Sequence, residues 1–131
     1  QELACMSQPR MCAAAAVIAG RLYMCGGYGR QRALQSAECF DPVAGVWQPV
    51  PPLVEGRYFA ARAVGSGRIF LCGGTTTQGP LSSVERHDPG VGAWEPLPRM
   101  RRRRCGGAAA STACGSLYVC GGGGCGSCSG P

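Results

Sequence analysis

The chain has 131 residues, 45% hydrophobic and 15% charged, with 22 glycines and 10 prolines. That is enough apolar sequence for one ordinary domain, and the glycine and proline content argues against long helices and for many short strands joined by tight turns. The net charge of +6 comes from 13 arginines and no lysine, and the excess is concentrated in one run at 99–104, so a chain-wide affinity for phosphate backbones does not follow.

In chain order, residues 1–9 read as the tail of a preceding unit: LACMSQP at 3–9 matches the end of the units that follow, without their tryptophan. Residues 10–56 form a first full unit with four apolar runs at 12–18, 21–25, 35–40 and 46–50, separated by Gly20, by Gly26-Gly27, by the Asp41-Pro42 turn and followed by prolines. These are strand lengths. Residues 57–103 repeat the pattern: a shift of 47 aligns the two stretches without a gap, with 20 of 47 positions identical. RLYMCGG matches RIFLCGG, SAECFDP matches SVERHDP, and WQPVPPL matches WEPLPRM. A third unit, 104–131, reaches SLYVCGG after one inserted residue and ends in GGGGCGSCSGP.

A 47-residue period with four strands, a double glycine, S-x-E-x-[F/H]-D-P and a tryptophan resembles the Kelch repeat, one blade of a β-propeller. The departures are Phe40 and His87, where the family usually has tyrosine before the aspartate. The resemblance implies an all-β fold, an incomplete Kelch-type propeller of four-stranded antiparallel blades. Two and a half units are too few to close a ring, since each blade buries its faces against two neighbours. The expectation is therefore a fragment or truncated product of a longer Kelch protein, or self-association through the open blade faces.

Several positions are expected to be structural. Gly26, Gly27, Gly73, Gly74, Gly121 and Gly122 end the second strands, where the chain needs backbone angles and close approach that a side chain forbids. Trp47 and Trp94 begin the outer strands and, as the resemblance implies, pack against a neighbouring blade. Glu38, Glu85, Asp41 and Asp88 recur at equal spacing and suggest paired catalytic carboxylates, but residues repeated in every unit serve what every unit needs, and Asp-Pro starts turns.

Catalysis has little support. His87 is the lone histidine, it occupies the position of Phe40, and no G-x-S-x-G motif is present. No cofactor is expected. Cys125-x-x-Cys128, with Cys114 and Cys120 upstream, is the one metal-like or redox-like spacing, but it does not match the usual zinc pattern. Most of the cysteines, Cys12, Cys25, Cys39, Cys72, Cys114 and Cys120, fall in apolar or strand-like runs and are read mainly as small buried hydrophobes in a reducing compartment, which points to the cytoplasm. No amino-terminal leader and no membrane-length apolar stretch is visible. The basic run has no interleaved aromatics, so nucleic acid is not the expected partner.

The expected binding surface is built from loops that differ between units, since recognition concentrates on loops carried by a rigid scaffold. The residues are Tyr28, Arg30, Arg32, Arg57, Tyr58, Arg99, Arg101, Arg102, Arg103 and Arg104, and the natural partner is a protein with an acidic segment, because guanidinium groups match carboxylates and phosphates bidentately. A solvated charge run is the competing reading of the arginines. The Kelch resemblance further implies a substrate-recognition role in cullin-RING ubiquitin ligases, or actin binding. The alternatives are part of a Kelch-type sugar isomerase or oxidase whose site lies in other blades, and a truncated product without independent function.

Overall fold

Two 47-residue stretches with the same spacing of apolar runs fold into two sheets with the same register. A computed structural model of the chain describes residues 2–123, which contain strands and no helix. In the first unit, β1 (Ala14–Ile18), β2 (Arg21–Cys25), β5 (Ala37–Asp41) and β6 (Val46–Val50) form an antiparallel sheet in the order β1-β2-β5-β6, with a small hairpin, β3 (Tyr28–Gly29) and β4 (Arg32–Ala33), between β2 and β5. In the second, β7 (Ala61–Gly65), β8 (Arg68–Cys72), β11 (Val84–Asp88) and β12 (Ala93–Leu97) repeat that order, with β9 (Thr75–Thr76) and β10 (Gly79–Pro80) as the matching hairpin. Ala14 pairs with Cys25 as Ala61 pairs with Cys72, and Ala37 with Val50 as Val84 with Leu97. The hairpins stand where the sequence suggested only loops. Each is held by one backbone bridge, Met11 to Tyr28 and Tyr58 to Thr75, from the segment that opens its own unit.

The sheets stack through alternating residues. Ala14, Ala16, Tyr23, Cys25, Ala37 and Cys39 of the first sheet pack on Ile69, Leu71 and Trp94 of the second. Ile69 and Leu71 are completely buried, each a contribution of about 1.5 to 3 kcal/mol. Trp94 lies in this seam, whereas Trp47 is half-buried against Phe40, with ring centroids 5.4 Å apart, and donates its indole N–H to the Ala4 carbonyl at 2.7 Å. A third, two-stranded sheet of β13 (Ala108–Ser111) and β14 (Leu117–Cys120) packs Ala109, Leu117 and Val119 against Ala61, Cys72 and Val84. Its other face, with Ala108, Ala110, Tyr118 and Cys120, is exposed. Tyr118 is 65% exposed where Tyr23, at the matching position, is 5%.

The double glycines lie where consecutive units meet. Gly26 and Gly73 both have φ +62°. A Cβ on Gly26 would sit 2.5 Å from the Arg57 carbonyl, and one on Gly73 would collide with that of Arg104. The following N–H of Gly27 and of Gly74 donates to those same carbonyls, each at 2.8 Å. At Gly122 a Cβ would meet the Cys105 carbonyl at 2.8 Å, while around Gly121 the described residues leave open space.

The cysteine expectation needs correction. Cys25, Cys39 and Cys72 are buried, and burial pushes the Cys25 thiol up to about 12 and that of Cys72 to about 11. Cys12, Cys114 and Cys120 are exposed. Cys12 precedes β1 in a left-handed turn (φ 54°), Cys114 lies in the β13–β14 turn, and Cys120 is on the open face of the third sheet. Cys125 and Cys128 lie outside the described residues.

Candidate functional site

Antiparallel order sends the connections to two opposite ends. The β1–β2, β5–β6, β7–β8 and β11–β12 turns share one end; the 26–36 and 73–83 segments share the other with the connections 51–60 and 98–107. At the turn end, charge is neutralised in pairs: Arg21 with Asp41 at 3.0 Å and Arg68 with Asp88 at 2.9 Å. Asp41 also accepts the Val43 and Ala44 amides, which, with Arg21, hold its carboxyl below the usual range. Asp88 is held low by Arg68 and by the Gly90 amide.

At the loop end, the arginine that opens each unit is a clasp. Arg57 is 1% exposed; its guanidinium donates to the carbonyls of Gly73 (2.7 Å) and Ser83 (3.0 Å), to the Ser83 hydroxyl (3.0 Å) and to Glu85 Oε2 (2.7 Å). Glu85 in turn accepts the Val54 and Glu55 amides from the preceding unit. Arg10 makes the same set to Gly26, Ser36 and Glu38, and Glu38 accepts the Ser7 amide. Burial alone would raise the Glu38 carboxyl, but the Ser7 amide and Arg10 outweigh it and hold it below its ordinary value. The recurring glutamates thus join one unit to the next.

Arg57, expected at the binding surface, is therefore corrected to a buried structural residue that a partner does not reach. Arg104, at the same repeat position, is half-buried and donates to the Gly121 carbonyl at 2.6 Å, as Arg57 does to Gly73.

The other expected residues lie on the exposed rim. Arg30 and Arg32 belong to the β3–β4 hairpin and are exposed, as are Arg99, Arg101, Arg102 and Arg103. None of these six is ion-paired among the described residues. Arg99 and Arg103 line a polar cavity of about 240 Å³ with Thr76, Gln78, Ser82 and Glu55. Arg99 reaches the Ser82 hydroxyl at 3.5 Å. Glu55 is already engaged, accepting the Ser83 hydroxyl at 2.7 Å and lying 3.8 Å from Arg57. Arg101 and Arg102 stand outside the cavity lining.

Tyr28 and Tyr58 meet edge to face at 5.1 Å, and Tyr58 also touches Phe59 at 5.7 Å. Phe59 and Met11 are 51% and 63% exposed. Sequence reasoning missed both, and singled out none of the cavity's Thr76, Gln78 and Ser82. The available signal was that Phe59 stands where the other units have Cys12 and Gly106, the kind of unit-specific difference that pointed to the arginines.

His87 is 2% exposed, stacked on Trp94 at 5.0 Å and tilted toward Tyr23 at 6.1 Å, with Nδ1 3.3 Å from the Ala93 carbonyl. Burial lowers its pKa. Among the described residues, no three His, Cys, Asp or Glu side chains are grouped to hold a metal ion.

A search of curated proteins finds no match. The family model described as the Kelch motif matches twice, over residues 9–54 and 56–101, each match covering one four-stranded sheet and the connection leading into it. The chain belongs to the Kelch family, whose repeats generally mediate protein–protein interaction.

Proposed function

We propose that the chain is a protein-interaction module whose loop end receives an acidic segment of its partner. The observation that carries this reading is the polar cavity lined by Arg99 and Arg103, two arginines without a carboxylate partner among the described residues, on a rim that also bears Arg30, Arg32, Arg101 and Arg102. Guanidinium groups at a partly enclosed polar site favour carboxylate or phosphate oxygens through charge-assisted, bidentate bonds. The hydroxyl of Ser82, which accepts from Arg99, adds a neutral group that can donate to the same oxygens. Substrate recruitment to a cullin-RING ubiquitin ligase and actin binding, the two finer roles that the Kelch resemblance implies, are specific forms of this reading, and either would use the same rim.

The test is retention of an immobilised glutamate-rich peptide at moderate salt. Changing Arg99 and Arg103 to Ser lowers affinity about tenfold or more, the scale of one or two lost charge-assisted bonds. Changing Arg101 and Arg102 has the smaller effect expected of exposed charges. Equal retention by wild type and the Arg99→Ser, Arg103→Ser double variant would end the proposal.

A further inference from the structure

We infer that Phe59 is an apolar anchor on this rim, so that the partner segment carries an aliphatic or aromatic side chain beside its acidic groups; this rests on the acidic-segment reading above. Phe59 has φ +55°, a left-handed conformation that a bulky side chain adopts only at a cost. The repeat imposes it. Cys12 has φ +54° and Gly106 has φ +72° at the matching positions, and the backbone is pinned from both sides, the Phe59 amide donating to the Cys12 carbonyl at 3.1 Å and its carbonyl accepting the Gly106 amide at 2.9 Å. This backbone favours glycine, as the third unit has.

A phenylalanine held there against its preference would be unremarkable if the core needed the ring. The core does not contain it: Phe59 is 51% exposed and belongs to neither buried cluster. Its ring instead extends a surface step with Tyr58 and Tyr28, on the rim where Met11 is 63% exposed. Backbone strain combined with an exposed apolar side chain is characteristic of recognition sites, where a partner covers the ring. Arg30 and Arg32, in the same hairpin as Tyr28, supply positive charge that is not ion-paired among the described residues, which selects an acidic segment with an apolar residue in it over a purely apolar one.

The experiment uses two synthetic peptides, one with a leucine among glutamates and one with serine in its place, each titrated against the full chain and its Phe59→Gly variant. Wild type binds the leucine peptide about tenfold more tightly than the serine peptide, since covering a leucine side chain is worth about that factor. Phe59→Gly abolishes the preference, leaves serine-peptide binding unchanged, and unfolds at the same or a higher temperature, because glycine accepts the φ that phenylalanine resists. A structural role for the ring predicts a lower unfolding temperature instead, and that result overturns the inference. So does a leucine preference that survives in Phe59→Gly, or equal binding of both peptides by wild type. Failure of wild type to bind either peptide defeats the acidic-segment reading itself, and this inference with it.

Discussion

Arg57 and Arg103 occupy comparable loop-end connections, one leading into β7 and the other into β13, yet they live in different physical settings. Arg57 is enclosed by two carbonyls, a hydroxyl and the Glu85 carboxylate; Arg103 is exposed and unpaired among the described residues. The seam region uses guanidinium geometry to close a backbone junction, while the rim region leaves the same group exposed and, among the described residues, without an ion pair. What separates the enclosed arginine from the exposed one here is the presence of a glutamate on the neighbouring strand, at the second position of β11.

The comparison is broken most severely at the seam. Glu85→Gln leaves buried Arg57 with only the more distant Glu55 carboxylate, at 3.8 Å, and the amide nitrogen that replaces one carboxylate oxygen cannot accept the backbone amide that this oxygen held. The expected loss is about 3 kcal/mol or more in urea denaturation, and a shift of less than about 1 kcal/mol would refute the clasp. A smaller effect comes from His87, which is buried neutral and whose pKa is lowered by that burial. The unfolded chain therefore binds the proton more readily, so stability is fully present above about pH 6.5 and declines as pH falls below it. His87→Phe, the residue type of position 40 in the first unit, removes that part of the pH profile; an unchanged profile would show that another group causes it. The smallest effect is at the rim, where Arg101→Ser with Arg102→Ser changes unfolding free energy by no more than about 0.5 kcal/mol. A loss comparable to that of Glu85→Gln would erase the distinction between the two regions.

Much of the fold was legible because a repeat states its own solution twice. The Gly-Gly pairs, the tryptophans and the S-x-E glutamates recur at one spacing, and backbone junctions and seams recur with them. The small hairpins were less legible, since two-residue strands carry no periodicity and depend on a bridge to Tyr58 or Met11 from the segment opening the unit. At the site, Tyr28, Tyr58 and the arginines other than Arg57 and Arg104 could be placed on the rim by asking which loops differ between units. Phe59 needed its backbone angle to stand out, because a phenylalanine beside a strand reads as core.

From the amino-acid sequence alone came the period, the four main-sheet strands of each full unit, the junction glycines and the structural role of the recurring acids, since alternation and spacing encode which face is buried and where the chain must turn. Only tertiary structure decided which arginines are enclosed, which cysteines reach solvent and that Phe59 is held exposed. Those properties depend on what the neighbouring sheet brings within a few ångströms, and runs such as RMRRRRC carry no local mark that separates Arg104, turned inward to the Gly121 carbonyl, from the arginines beside it.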